Sequence, residues 1–314
     1  MPAGPWVGFV AVLLLFTGLI GTEKFLTLGN ARVLLHEGTV NAIVGLGMLL
    51  VLISGGIDLS VGAVVALVTV VTMRVYTHLH GSGESTVSTG FGAAAAGVLT
   101  GGLCGLVNGV LVTRLKLPPF VATLGMFGIA RGVAVWLAER TTLAFPGQAP
   151  AWVDTLAITS FANPGLWSVV LLAVLTGVLL NFTVFGRHLY AVGSNEAAAL
   201  LCGVNVNRTR LLVYTLAGLL TGWAGVIMFA HSNSGNPTLG EQLELDVITA
   251  VVIGGASLSG GKGTVIGALL GVAILGLIKN GVSLFNVPVE MQYILIGVLL
   301  LANVAINRWR QGGK

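Results

Sequence analysis

The chain has 314 residues, of which 55% are hydrophobic and 8% charged, with mean hydropathy +0.96 and a formal net charge of +4. A soluble domain carries about 25% charged residues, so there is too little charge here to cover a water-facing surface, and most of the exterior must face lipid. The basic residues are dispersed and gather only at the ends of apolar runs, which excludes a nucleic-acid-binding protein.

The apolar runs are long and continuous and the chain holds 46 glycines, which predicts an all-α, polytopic helical bundle and not a barrel of short alternating strands. About ten spans are expected, each near the ~20 residues a bilayer needs. In chain order they are Trp6–Gly21, Thr39–Ser54, Ser60–Tyr76, Phe91–Thr113, Phe120–Ala138, Leu166–Phe185, Arg210–His231, Leu245–Ser257, Thr264–Asn280 and Met291–Asn307. The second, third, eighth and ninth are short, as tilted, half-membrane or broken helices would be. Trp6–Gly21 lacks a basic start and a small-residue cleavage site, so it is read as a first span and not as a signal peptide. Glu139 to Gly165 holds Pro146, Pro150 and Pro164 and reads as an irregular outer loop with room for one short helix. No soluble stretch of domain size is present, so residues 1–314 are read as one membrane domain.

With ten spans, Arg114, Lys116, Arg187, Arg208, Arg210, Lys262, Arg308, Arg310 and Lys314 fall on one side together with both termini. Lys24, Arg32, Arg74, Arg140 and Lys279 fall on the other, with the acids Glu23, Glu37, Glu84, Glu139, Asp154, Glu241, Glu244 and Glu290. Nine basic residues against five place both termini in the cytoplasm. Trp6 and Trp309 would then mark the inner interface, and Trp152 and Trp167 the outer one, unless they are ordinary packing residues. Cys104 in an apolar run and Cys202 in an inner loop are not expected to pair.

Four segments carry the functional reading. Between Gly193 and Gly203, Asn195 is a good helix N-cap, Glu196 suits the positive helix start, Ala197, Ala198 and Ala199 favour helix, and Gly203 is a good stop. The result is a helix of two turns outside the membrane, too short to be stable alone, which must dock on its own bundle or on a partner. Gly254 to Thr264 resembles a phosphate-binding loop only superficially. Ala256 stands where its first glycine belongs, and Gly263 stands where Ser or Thr must follow Lys262. Gly254, Gly255, Gly260, Gly261 and Gly263 are therefore structural, allowing positive φ and close contact, and the chain carries no ATPase of its own. Asp58 either caps the following helix from the interface or marks a pathway. Arg131 is the one strong charge placed inside a span, and with Asn108 it is a further pathway candidate.

Two glycine turns echo each other, Gly55-Gly56-Ile57-Asp58-Leu59-Ser60-Val61-Gly62 and Gly254-Gly255-Ala256-Ser257-Leu258-Ser259-Gly260-Gly261. Duplication and shared turn chemistry both explain the echo. No acidic or basic series marks a proton pump or voltage sensor, no metalloprotease spacing follows His36-Glu37, and no nucleophile elbow or metal cluster is present.

Taken together, these residues resemble the ribose/xylose/arabinose class of permeases of ATP-binding-cassette importers. The likeness is carried by Ile53 to Gly62, Leu117 to Gly125, Ala130-Arg131-Gly132, Gly186-Arg187, Gly193 to Gly203, and Glu244-Leu245-Asp246 leading into Gly254 to Gly261. It implies a bacterial inner-membrane subunit without a cofactor or catalytic residue of its own. Its partners would be a second permease subunit, identical or related, a cytoplasmic ATP-binding subunit and a periplasmic sugar-binding protein. Gly193, Asn195, Glu196, Ala197, Ala198, Leu200 and Gly203 would form the element that docks on the ATPase. The chain departs from the family at Leu200, where arginine is frequent, which makes that contact less polar. Permeases for autoinducer-2, nucleosides or branched-chain amino acids, a secondary transporter without an ATPase, and an intramembrane enzyme are the rival readings.

Overall fold

The computed structural model describes residues 3–81, 86–157, 162–288, 290–299 and 301. Glu84, Arg308, Trp309, Arg310, Lys314 and the end of the tenth predicted span lie outside them. The protein is a helical membrane bundle, and seven of the described helices are long and apolar enough to cross a bilayer. They are α3 (Leu28–Ile53), α4 (Val61–Gly81), α5 (Thr86–Thr113), α6 (Pro119–Leu137), α8 (Pro164–Phe182), α11 (Val206–Ser232) and α13 (Val265–Leu284). Shorter apolar helices are α1 (Ala3–Ile20) and α14 (Glu290–Leu299). The remaining helices are α2 (Thr22–Phe25), α7 (Ala151–Ala157), α9 (Val184–Ser194), α10 (Glu196–Leu201) and α12 (Leu243–Ile253).

Several elements differ from their predicted bounds for one reason: helices run past the apolar stretch that reveals them. The second span starts at Leu28, where Thr27 accepts from the Asn30 amide (3.1 Å), and is neither short nor broken. Its first three turns hold Arg32, His36 and Glu37, which hide them from a hydropathy window. Arg131 is accordingly not alone, since Arg32, Glu37, Arg74 and Lys279 also lie on spanning helices. The ninth predicted span is a full 20-residue helix. The eighth is a half-helix: α12 has 11 residues, about 16 Å against a hydrocarbon core of about 30 Å.

Helix α3 is the central post, buried without a break from Ile43 to Ile53 and packed on α11, α13 and α12. Helices α5 and α11 make the most extensive contact, and small residues bring their backbones together. A Cβ on Gly105 would lie 2.2 Å from the Tyr214 carbonyl oxygen, and one on Gly218 2.4 Å from that of Gly101. Phe16 of α1 covers Gly281 of α13, with Phe25 and Leu277 completing that cluster.

The bundle has two ends. One carries α9 and α10. At the other, α7 lies in the Pro-rich loop, where Trp152 stacks on Phe229 (6.0 Å) and covers Gly90 while Trp167 is exposed. Here β1 (Leu143–Ala144) pairs antiparallel with β2 (Ser234–Gly235). After β2 the chain does not remain at this end. It returns along α4, with Asn236 bonded to Thr69 and Gly240 against Gly62, before α12 begins. Glu241 and Glu244, which read as outer-loop acids, therefore lie within the bundle's height.

Candidate functional site

Asn195 separates two helices by a single residue. Its extended backbone (φ −158°, ψ 100°) ends α9, and its side-chain oxygen accepts from the Ala198 amide (3.0 Å) to start α10. Gly203 (φ 79°) ends α10 in a Schellman arrangement, Gly203 N–H to the Leu200 carbonyl and Val204 N–H to that of Ala199, each 3.0 Å. Ala199 packs under Val192 and Val206. Every other residue from Ser194 to Gly203 is exposed, with Leu200 56% and Leu201 91% accessible. Glu196 does more than favour the helix start: Arg210 of α11 grips its carboxylate with two bonds, 3.1 and 2.7 Å. No periodic signal in the sequence links residues fourteen apart across a turn, so this clasp was not legible there.

The two glycine turns and the root of α10 meet in one place. Gly261 N–H donates to the Ile53 carbonyl (2.9 Å), and the Cα of Gly193 packs over that bond. A Cβ on Gly260 would lie 2.5 Å from the Gly193 carbonyl oxygen and 3.0 Å from Gly55 Cα. Tyr190 of α9 donates its hydroxyl to the Gly263 carbonyl (2.7 Å), and burial raises the phenol above its ordinary value and keeps it a donor. The turns share one hydrogen-bond pattern. Gly55 and Gly56 donate to Leu52 and Val51, and Gly255 and Ala256 donate to Val252 and Val251, with Gly55 at φ 80° and Gly255 at φ 97°. The echo is thus a repeated Schellman cap, the geometry that duplication and shared turn chemistry would both give. Gly260, Gly261 and Gly263 also have positive φ, whereas Gly254 is αR and is needed for contact: its Cβ would lie 2.1 Å from the Gly267 carbonyl oxygen.

Asp58 and Asn108 are brought together through Ser60. The Asp58 carboxylate accepts from the Ser60 amide (2.8 Å) and hydroxyl (2.6 Å), and Asn108 donates its amide to the same hydroxyl (3.0 Å). Asp58 is only 4% exposed, so it does not cap from the interface. It fixes the turn before α4, packed among residues of α4, α5 and α11. Arg131 is elsewhere, on α6, donating to the carbonyls of Pro237 and Leu239 (3.2 Å for Leu239). Among the described residues no three His, Cys, Asp or Glu side chains gather as a metal site. Cys104 is buried and Cys202 exposed, and both are free.

A family described as "Branched-chain amino acid transport system / permease component" matches residues 32–304. The chain belongs to this permease family. It is 37% identical to the fructose import permease protein FrcC of Rhizobium meliloti, over 98% of this chain and 85% of that protein. It is 36% identical to the ribose import permease protein RbsC of Bacillus subtilis, over 97% and 92%. It is 38% identical to the L-arabinose ABC transporter permease protein AraH of Azospirillum brasilense, over 98% and 88%. No solved structure matches. This permease is therefore a multi-pass membrane protein of a transport system, with its half-helix α12 and its backbone joint at Gly193 as described.

Proposed function

We propose that this permease is the membrane-spanning subunit of an ATP-binding-cassette importer for a monosaccharide. Relatives named for fructose, ribose and arabinose over almost the whole chain support a sugar, and no observation favours a secondary transporter or another solute class. Residues 1–314 form a single permease domain without catalytic residue or cofactor, ATP being bound by a separate cytoplasmic subunit and solute delivered by a periplasmic binding protein to a pair of permeases. The α10 end faces the cytoplasm of a bacterial inner membrane, a reading supported by Arg114, Lys116, Arg187, Arg208, Arg210 and Lys262 around it.

The observation that carries the docking role is the exposure of Leu200 and Leu201 on a helix outside the spans. Apolar side chains presented to water mark an interaction site. A nucleotide-driven movement of the ATPase would carry α10, and the joint at Gly193 would pass it to α3 and to the α12–α13 turn, biasing the bundle between two states. Cys202 reports on this directly, because Cys104 is buried. A membrane-impermeant maleimide is expected to label Cys202 in inverted vesicles and not in intact cells, at least tenfold more slowly once the ATP-binding subunit is present. Labelling from outside the cell, or no shielding, would overturn the docking role.

The clasp gives a second test. An exposed ion pair is worth roughly 0–1 kcal/mol, so Arg210→Ala is expected to leave the fold intact. It is expected to free α10 from α11 and raise the ATP hydrolysed per sugar imported severalfold. The exchange Glu196→Arg with Arg210→Glu should restore the ratio, and a ratio unmoved by either variant would count against the clasp.

A further inference from the structure

The segment between β2 and α12 is non-helical backbone, and its depth follows from what it touches. Arg131, which holds the carbonyls of Pro237 and Leu239, stands twelve residues from the start of α6, about 18 Å. Gly62, which meets Gly240, lies two residues beyond Ser60. Ser60 bonds Asn108, five residues or about 8 Å from the α10-end of α5. Glu241 therefore lies near the middle of a hydrocarbon core of about 30 Å. Both Glu241 and Thr238 are exposed.

Hydrocarbon does not accept such a surface. Carboxylates at this depth face a bundle interior or a water-filled cavity, and irregular backbone is found there only under protein or water. The neighbouring face of α6 mixes exposed apolar side chains, Leu124, Ile129, Val133 and Trp136, with small residues. Gly125, Gly128 and Gly132 have open space over their Cα atoms, and a recess of about 410 Å³ lined by Gly132, Val135, Trp136, Glu139 and Arg140 opens at its far end. Glu241 and Glu244 lie within electrostatic reach of Arg131.

We propose that α6 and residues 236–241 form the wall of the aqueous solute path, and that Glu241 and Thr238 meet the hydroxyl groups of a polyhydroxylated solute. The carboxylate accepts from hydroxyl donors. The Thr238 hydroxyl, which already donates to the Asn236 side-chain oxygen (2.8 Å), retains lone pairs to accept another. Arg131 anchors the segment, so the wall keeps its shape without helical hydrogen bonds. The assignment rests on the permease reading above.

The test is thiol accessibility in the complete transporter. In a Cys202→Ser background, Glu241→Cys, Thr238→Cys and the lipid-face control Leu175→Cys (native side chain 54% exposed) are treated with a charged, membrane-impermeant methanethiosulfonate. Intact cells and inverted vesicles are both used. Residues 241 and 238 are expected to react at least tenfold faster than residue 175 in one preparation or the other. Reaction at the residue-175 rate in both preparations overturns the assignment, whether lipid or a protein partner covers the face. Shielding of Cys202 is measured separately in unmodified protein. Shielding with an unreactive residue 241 overturns the path and leaves the permease reading intact, whereas a reactive residue 241 without shielding supports the path and overturns the ATPase docking.

Discussion

Gly193→Ala is expected to abolish sugar uptake and to lower the melting temperature of the purified permease well beyond what a strained glycine elsewhere would cause. The new Cβ would lie 1.7 Å from the Ile53 carbonyl oxygen and 2.7 Å from the Gly261 amide nitrogen, two atoms hydrogen-bonded to each other. Both are backbone atoms and no rotamer change relieves the clash, so α9 must move off the joint or the bond must open. Overpacking costs about 1–3 kcal/mol, and a lost buried hydrogen bond adds about 1 kcal/mol. Gly203→Ala is the control. Gly203 has φ 79° but open space around it, so alanine there meets only the left-handed backbone penalty of about 1–2 kcal/mol. Thermal unfolding of both variants in the same detergent checks the difference, and equal melting temperatures would refute a packed joint at Gly193.

Lys279→Met is expected to destabilise the permease by about 3–5 kcal/mol, because it strands a carboxylate inside the bundle. Lys279 of α13 bonds Asp246 in the first turn of α12 (2.6 Å), and the Asp246 side chain is largely buried. The pair pins a half-helix that has no second half of its own, with Asn280 donating to the Asn30 side chain (2.8 Å) one residue away. Adding Asp246→Asn to Lys279→Met removes the orphaned charge and is expected to recover most of the loss. A double-mutant cycle on melting temperature reads the pair, and additive single effects would show that the two side chains do not depend on each other.

Much of this was legible before folding. The apolar runs were long enough to declare the spans they belong to, and the Asn195 and Gly203 ends of α10 could be read because capping is local chemistry. What escaped was non-local. The first turns of α3 were hidden by Arg32, His36 and Glu37, whose polar side chains a hydropathy window counts but a helix tolerates. The eighth predicted span, read as short, is the half-helix α12, and what escaped was the descending stretch before it, which Asn233 (φ 49°) and Gln242 (φ 63°) bracket and the apolar pattern does not announce. Asp58 could be read as an interface cap as well as a pathway residue, because its burial depends on α5 and α11.

The sequence by itself determined that this chain lives in a membrane, that it is helical, and where its short capped helix begins and ends, since hydropathy and capping act within a few residues along the chain. Only the tertiary structure decided that Gly193, Gly55 and Gly260 share one joint, that Arg210 holds Glu196, and that Glu241 reaches mid-bundle. Those contacts join residues far apart in the chain, and they rest on close backbone approach at the joint and on side-chain pairing across the fold, which local sequence pattern does not encode.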